Sequence, residues 1–260
     1  MLRGLWSGAS GMNSMQLNLD VIANNLANVK TTGFKRSRAD FEDLYYQTLR
    51  KSGTENADGS QVPTGMQIGM GSRPTSVQKI FTQGDYVSTG NDLDWAIEGR
   101  GFFKILSNGE EYYTRAGSFK LDRDGFIVTS NGDRLQPEFA VPSETSNISL
   151  DAYGMLVATD AQGNVLASVQ LTIVDFANPA GLQAVGRNLF RQSEASGDPI
   201  EGNPGTENFG TLTQGFLEQS NVDVVQEMVA MITTQRAYEL NSKTVQTADE
   251  MLGIANNLKR

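Results

Sequence analysis

Apolar residues recur at helical spacing at both ends of the chain. Near the first end, every seventh residue of one row is apolar, at Leu5, Met12, Leu19 and Leu26, and Ile22 belongs to a flanking row. Near the other end, the same step gives Val224, Met231, Tyr238, Val245 and Leu252. Because residues seven apart lie on one side of an α-helix, the pattern predicts an amphipathic helix at each end.

The two predicted helices are expected to pair with each other. A heptad repeat of apolar residues is typical of a coiled coil. The first helix also contains Gly4, Gly8 and Gly11, and since each glycine costs about 1 kcal/mol relative to Ala, this helix needs a packing partner. Helices that pack separately on their own domain are the alternative. The middle of the chain offers no helical layer for them, which favours pairing of the ends with each other and with neighbouring subunits, and disorder of both ends in the free monomer.

Between the ends, the hydrophobic period becomes that of strands. Short apolar runs predict strands at 102–106, 112–115, 118–121, 126–129, 155–158 and 169–174. Turn-forming pairs separate them, at Asn108-Gly109, Asp124-Gly125, Asn131-Gly132, Tyr153-Gly154 and Gly163-Asn164. Since such pairs mark hairpins, the middle is predicted to be an all-β sandwich or barrel. The predicted fold class is α+β, with the terminal helices forming a coiled-coil inner domain.

Two polar stretches mark the predicted domain boundaries. Residues 50–65 contain a single aliphatic residue, Val62, and residues 192–211 contain two Pro and four Gly with few apolar residues. Both stretches are typical of surface loops or linkers. The prediction is a helical assembly domain at 1–35 and 220–260, an extended connector at 36–65, a β domain at 66–191 and a linker at 192–219. Both chain ends then leave the β domain on the same side.

The composition removes several kinds of chemistry. The chain contains no His and no Cys, which excludes disulfides, thiol nucleophiles, Ser-His-Asp triads and Cys/His zinc sites. Residues 1–50 carry six Lys/Arg and four Asp/Glu, whereas the remaining 210 carry 15 and 26, so the net charge of −9 comes from an acidic body. An acidic body argues against nucleic acid as a partner. The short basic run at 35–38 is interpreted as a solvated helix flank rather than a phosphate site.

Carboxylates remain as possible catalysts, but no pattern singles any out. Residues 122–125 resemble the start of a calcium loop, yet the glycine comes two positions too early, so a β-turn is predicted. Asp92 with Asp94, or Glu110 with Glu111, could support glycoside hydrolysis, but a chain with 30 acidic residues offers many such pairs. A secreted carboxylate hydrolase is therefore the enzymatic alternative. No catalytic residue, metal or cofactor is predicted.

Membrane insertion is not expected. The sequence has no run of about 18 apolar residues, and Gly and Ser interrupt the apolar residues that follow Met1. The sequence therefore predicts neither a membrane-spanning segment nor a cleaved signal peptide.

Long motifs lie at both ends and at the entry to the β region. The first covers 9–12 and 19–35 (ASGM and LDVIANNLANVKTTGFK), the second lies within 227–252 (EMV, QRAYELNSK and DEML), and the third covers 94–103 and 113–119 (DWAIEGRGFF and YTRAGSF). Together they resemble the signatures of the bacterial flagellar rod and hook family, over nearly the whole chain. The family motif residues are Asn24, Asn25, Asn28, Thr31, Thr32, Gly33, Phe34, Arg236, Ala237, Tyr238 and Asn241. Lys30 departs from the family pattern, in which Asn is expected.

The resemblance implies a structural subunit of the distal rod and no enzyme. Subunits would stack helically into a hollow, rigid shaft that transmits torque from motor to hook and serves as an export channel, with the apolar heptad rows as its core. The stretch 46–63 would stiffen the rod, through Tyr46, Gln47, Thr48, Leu49, Val62 and Pro63. A proximal rod paralogue, which should lack this stretch, is the alternative within the family.

The resemblance also implies partners and a location. The partners would be further copies of the chain, proximal rod proteins, the hook protein, the P-ring and L-ring proteins around the rod, and the flagellar type III export apparatus. The rod would cross the periplasm to the outer membrane, and its subunits would be exported without a cleaved signal peptide.

Overall fold

The computed structural model describes residues 2–53, 63–206 and 208–257. The chain divides into two compact units. The terminal unit comprises residues 1–26, 37–78 and 224–260, and the central unit comprises 27–36 and 79–223. An N-terminal helix, a mostly-β middle and a C-terminal helix confirm the predicted α+β class.

The two long helices lie where the heptad rows predict them. Helix α1 spans Leu2–Ala27 and helix α2 spans Val224–Asn257, which is 34 residues long. Of the helices in the described part of the chain, none is apolar over enough of its length to cross a membrane.

The described residues of the terminal unit also form four strands. Strand β1 (Ser37–Asp43) pairs with β4 (Ser72–Lys79), and β2 (Tyr46–Arg50) pairs antiparallel with β3 (Met66–Gly69). The stretch 36–65, predicted as an extended connector, thus holds two strands. Residues 54–62, including Val62, lie outside the described residues.

The central unit contains the remaining strands and one 3₁₀ turn at Pro179–Gly181. The strands are β5 (Tyr86–Ser88), β6 (Trp95–Glu98), β7 (Phe102–Ser107), β8 (Glu110–Thr114), β9 (Lys120–Leu121), β10 (Ile127–Val128), β11 (Arg134–Gln136), β12 (Asn147–Leu150), β13 (Met155–Thr159), β14 (Val165–Gln170), β15 (Ile173–Asp175), β16 (Gln183–Gly186), β17 (Leu189–Arg191), β18 (Ile200–Gly202), β19 (Thr211–Gln214) and β20 (Phe216–Glu218).

Nine of these strands form one sheet, and the others form smaller ones. The main path is β16-β17-β8-β7-β11-β10-β9, and β15 joins it through β7 and carries β18 on its other side. Strands β12-β13-β14 form a three-stranded sheet, while β6 pairs with β19 and β5 with β20. A sandwich or barrel closure stays a prediction.

The predicted hairpins are confirmed. Five antiparallel pairs, β7–β8, β9–β10, β10–β11, β12–β13 and β13–β14, are joined at the five turn-forming pairs named above. Asn108 and Gly109 both have positive φ, 52° and 84°, as a two-residue type I′ turn requires. The predicted strand at 169–174 is in fact the end of β14 and the first two residues of β15, separated by Leu171 and Thr172.

Short strands also lie in the stretch predicted as a linker. Strand β18 pairs with β15, β19 with β6 and β20 with β5. Each partner is distant in sequence, so these strands depend on tertiary pairing rather than on local propensity.

The core of the central unit lies on both faces of strand β7. Phe103 and Ile105 pack into a large apolar cluster with Trp95, Phe119 and Leu156. Phe102 points into a second cluster, which contains Tyr113, Val174, Phe176, Leu182 and Phe190. Because successive side chains of a strand alternate between faces, one strand supports two cores.

Candidate functional site

Helices α1 and α2 contact each other within the terminal unit. Asn25, near the end of α1, donates from Nδ2 to Oε2 of Glu227, near the start of α2, at 3.3 Å. Asn18 donates from Nδ2 to Oγ1 of Thr234 at 3.0 Å. From the first contact to the second, the position on α1 falls by seven residues while the position on α2 rises by seven. The two helices are therefore antiparallel. Knobs-into-holes packing along the pair stays a prediction.

The predicted assembly rows are partly buried. Ile22 is buried, Val224 and Tyr238 are exposed, and the other members are half-buried, namely Leu5, Met12, Leu19, Leu26, Met231, Val245 and Leu252. The buried side chains of α2 are instead Glu227, Thr234 and Ala248. Sequence reasoning missed Glu227 and Thr234 because both are polar. Their signal is the heptad step that they share with Ala248, at intervals of seven and then fourteen residues.

An apolar stripe on α2 faces away from the buried row. It consists of Val225, Met228, Val229 and Ile232, at the spacing i, i+3, i+4 and i+7 that places residues on one helix face. Met228 and Val229 are 51% and 55% exposed in the single chain. We call these four residues the outer stripe. Contiguous exposed apolar surface of this kind marks an interaction site.

The first family motif straddles the two units. In the terminal unit, Asn24 is exposed and Asn25 is buried. In the central unit, Thr31 donates from Oγ1 to Oδ1 of Asn28 at 3.1 Å, and the Thr32 carbonyl accepts from Asn188 at 3.2 Å.

Gly33 and Phe34 end this motif in a tight turn. Gly33 has a φ of +68°, and a Cβ placed there would lie 2.7 Å from the backbone nitrogen of Ala116. Phe34 is buried, and the ammonium of Lys79 lies 4.8 Å from its ring centroid. Glycine is therefore required at position 33 for both conformation and space.

The second motif lies on α2. Arg236 is exposed, and Ala237 and Asn241 are half-buried beside the exposed Tyr238.

A buried charge triad lies in the central unit. Glu218 accepts from Nζ of Lys35 at 2.6 Å and from Nε of Arg115 at 2.7 Å, and all three side chains are nearly inaccessible to solvent. The interpretation of Lys35 as part of a solvated helix flank is thus wrong. Sequence reasoning could not identify this pair because Glu218 is 183 positions away from Lys35 in the chain.

Every charge of the triad has further hydrogen bonds. Lys35 also donates to the Thr82 carbonyl at 2.7 Å, and the Gly84 N–H donates to Glu218 at 3.0 Å. Arg115 donates to the carbonyls of Ile97, Gly99 and Gly101. Burial alone would raise the pKa of Glu218, but the charges of Arg115 and Lys35 outweigh it and lower that pKa. The triad is therefore a buried network in which each charged group has hydrogen bonds beyond its ion pair.

The stretch 46–63 begins on an exposed ribbon. Tyr46, Gln47, Thr48 and Leu49 lie on β2, every residue of which is exposed, and Pro63 is exposed beyond it. A hydrogen bond to Asp43 raises the pKa of the Tyr46 hydroxyl.

The acidic stretch at 122–125 has the turn that the sequence predicts. Residues 122–125 form a turn, in which the Gly125 N–H donates to the Asp122 carbonyl at 3.0 Å. Among the described residues, no three Asp, Glu, His or Cys side chains are grouped so that they could hold a metal ion.

Three family descriptions match the chain. Residues 5–35 match the "Flagella basal body rod protein" family, residues 96–158 the "Flagellar hook protein FlgE/F/G D1 domain", and residues 213–258 the "Flagellar basal body rod FlgEFG protein C-terminal" family. These matches include both terminal motifs and the first core strands of the central unit.

Curated relatives match over the full length of the chain. The flagellar basal-body rod protein FlgG of Borreliella burgdorferi is 50% identical, with 100% of each chain covered. FlgG of Buchnera aphidicola from Acyrthosiphon pisum is 46% identical over 97% of this chain and 98% of its own. FlgG of Agrobacterium fabrum is 46% identical over 99% of this chain and 100% of its own. The chain therefore belongs to the flagellar rod and hook family, among the basal-body rod proteins named FlgG.

Proposed function

We propose that this chain is a structural subunit of the bacterial flagellar rod, in its distal part. It assembles helically into a hollow, rigid shaft that transmits torque from the motor to the hook and serves as an export channel. The relatives are rod proteins, which supports a structural subunit and gives no support to the hydrolase alternative. The observation that carries the proposal is the exposed outer stripe of α2.

The outer stripe requires a cover that one chain does not supply. Met228, Val229 and Ile232 are each about half exposed, and burying apolar surface contributes roughly 25 cal/mol per Å². A second copy of the same chain is the cover proposed here, because the relatives are named as rod subunits. Head-to-tail contacts that do not close on themselves generate a helical filament.

The proposal includes a place and a set of partners. The rod stands in the flagellar basal body and crosses the periplasm to the outer membrane, after export of its subunits without a cleaved signal peptide. Its partners are proximal rod proteins, the hook protein, the P-ring and L-ring proteins and the type III export apparatus. The chain needs no catalytic residue or cofactor in this role.

The β2–β3 ribbon is proposed to stiffen the shaft. Two-stranded ribbons are marginally stable alone, and this one exposes Leu49 and Met66, at 49% and 55%. Packing on a neighbouring subunit would cover these side chains and tie adjacent subunits together. Deletion of residues 46–63 should permit polymer but shorten its persistence length in electron micrographs. A persistence length equal to that of the parent polymer would contradict this role.

The outer stripe is tested by Val229→Asp. A carboxylate buried without a partner costs several kcal/mol, and every subunit contact would repeat that cost. We expect the full-length variant to stay in the supernatant under conditions in which the parent chain sediments as polymer. Thr244→Asp is the matched control, since Thr244 is an exposed residue of the same helix that lies off the face of the outer stripe.

The soluble variant must also keep the parent's circular dichroism. Polymer of normal yield from Val229→Asp, or equal loss in Thr244→Asp, would contradict the proposed role of the outer stripe.

A further inference from the structure

Facing rows of polar and small residues run along the contact between α1 and α2. The row on α1 is Gly11, Asn18 and Asn25, and the row on α2 is Glu227, Thr234 and Asn241. Each row advances by seven residues, and the members meet in antiparallel order. We call these facing rows the ladder, with three rungs: Asn25 with Glu227, Asn18 with Thr234, and Gly11 with Asn241. We infer that the ladder, and not the apolar rows beside it, sets the register in which the two terminal helices pair.

The first rung is a buried amide held in one orientation. Asn25 and Glu227 are each 1% exposed. Besides donating to Glu227, the Asn25 amide donates from Nδ2 to the carbonyl of Ser37 at 2.8 Å, and its Oδ1 accepts from the Ser37 N–H at 2.8 Å. This reciprocal pair fixes which side of the amide faces Glu227.

The second and third rungs differ in size. Asn18 and Thr234 meet through a hydrogen bond of 3.0 Å. At the third rung, a Cβ on Gly11 would lie 2.8 Å from Nδ2 of Asn241, and one turn earlier a Cβ on Gly8 would lie 2.9 Å from Cγ2 of Val245. These glycines therefore permit a close approach of the helices, and a larger residue at either position would require the facing side chain or the helix to move.

Apolar rows alone discriminate poorly between registers. In a slip by one heptad, Leu and Met side chains of one helix still meet apolar side chains of the other. The ladder does not survive such a slip. Asn18 would then face Asn241 instead of its hydrogen-bond partner Thr234. Glu227 would lose its hydrogen bond to the Asn25 amide while still lying between the helices. A polar residue at a seam position specifies register in paired helices in the same way.

Disulfide trapping tests this inference in the full chain. Because the chain has no cysteine, only introduced thiols react. Asn18→Cys with Thr234→Cys reports the observed register, and Asn18→Cys with Asn241→Cys reports a slip by one heptad. After mild oxidation, we expect the in-register intramolecular disulfide to exceed the slipped one by about tenfold or more.

The yields of the same two disulfides are then measured in chains that lack the contact between Asn25 and Glu227. Asn25→Leu with Glu227→Leu should bring the two yields close to equality, whereas Glu227→Gln, which retains an acceptor for the Asn25 amide, should keep the parent ratio. Leu19→Ala with Met231→Ala is the control for pairing strength, since it weakens the apolar rows; it should lower both yields and leave their ratio unchanged.

Equal yields in the parent chain, a ratio that survives loss of the first rung, or a ratio that collapses in the apolar control would each overturn the inference. Disulfides are counted in both the sedimented and the soluble fractions. A chain that forms no polymer would speak against the proposed rod function, while the yield ratio would still be measured.

Discussion

The two units differ in the balance of apolar and polar side chains that they bury. In the central unit, large aromatic and aliphatic residues such as Trp95, Phe103 and Phe119 are fully enclosed, and they greatly outnumber the buried charged residues. In the terminal unit, the contact between the helices buries Asn25, Glu227 and Thr234, while the outer stripe of α2 remains exposed.

This difference separates a unit complete in one chain from one that is not. Apolar burial is the dominant favourable term in folding, and the central unit obtains it from its own residues. A polar contact between helices contributes specificity more than stability, so in the proposed assembly other copies of the chain would supply apolar burial to the terminal unit. Its stability is then coupled to assembly through mass action.

The largest expected effect on this difference between the units comes from a charge placed between the two helices. Leu19→Asp or Met231→Asp places a carboxylate at a half-buried position of the terminal unit, where desolvation costs several kcal/mol. We expect loss of sedimentable polymer. The central unit should keep its thermal transition in calorimetry, because its core contains neither residue. Simultaneous loss of that transition would show that the two units do not fold separately.

The second effect concerns the charge triad. Glu218→Gln removes the anion between Lys35 and Arg115 and leaves two buried cations, so we expect the free energy of unfolding to fall by about 3–5 kcal/mol. The control is Glu201→Gln, whose partner Lys104 lies 2.8 Å away in a partly exposed pair and which should cost at most about 1 kcal/mol. Urea unfolding followed by tryptophan fluorescence measures both, since Trp95 lies in the core. Similar losses in the two variants would show that the triad has no special role.

The third effect concerns the tight turn at Gly33. Gly33→Ala and Gly132→Ala both introduce a side chain at positive φ, +68° and +87°, but only Gly33 has backbone atoms in the way, at 2.7 Å. The conformational part should cost about 1 kcal/mol at both sites, and the clash should add about 1–3 kcal/mol at Gly33. Melting temperatures give the difference. Equal shifts would mean that the segment around Gly33 moves to accommodate the methyl group.

The sequence predicts the features that local pattern specifies. The heptad rows predict both terminal helices, and Asn108-Gly109 predicts a hairpin whose two turn residues have the expected positive φ. In each case the determining residues are neighbours in sequence, so period and turn chemistry are sufficient.

What the pattern misses depends on distant partners. Strands β18 to β20 are three or four residues long in a polar stretch and form because β15, β6 and β5 offer edges to pair with. From the sequence alone, Lys35 is interpreted as a surface residue, because its partners Glu218 and Arg115 are distant in the chain. The ladder was overlooked for another reason: a search for apolar periodicity passes over Asn25 and Glu227, although their spacing is just as regular.

The smallest effect is the response of the triad to acid. Arg115 and Lys35 hold the pKa of Glu218 below its ordinary value of 4.5. The folded chain therefore prefers the carboxylate, and as pH falls the unfolded chain binds the proton first. The stability that the charge supplies is complete above the ordinary pKa and is lost as pH falls through the lowered one.

The difference in unfolding free energy between the parent and Glu218→Gln should thus be constant from pH 8 to about pH 5 and narrow below about pH 4.5. Comparing the two chains at each pH cancels the titration of the other carboxylates. A difference that widens on acidification would mean that the folded state favours the protonated acid, and the triad would then not be ionised in the folded chain.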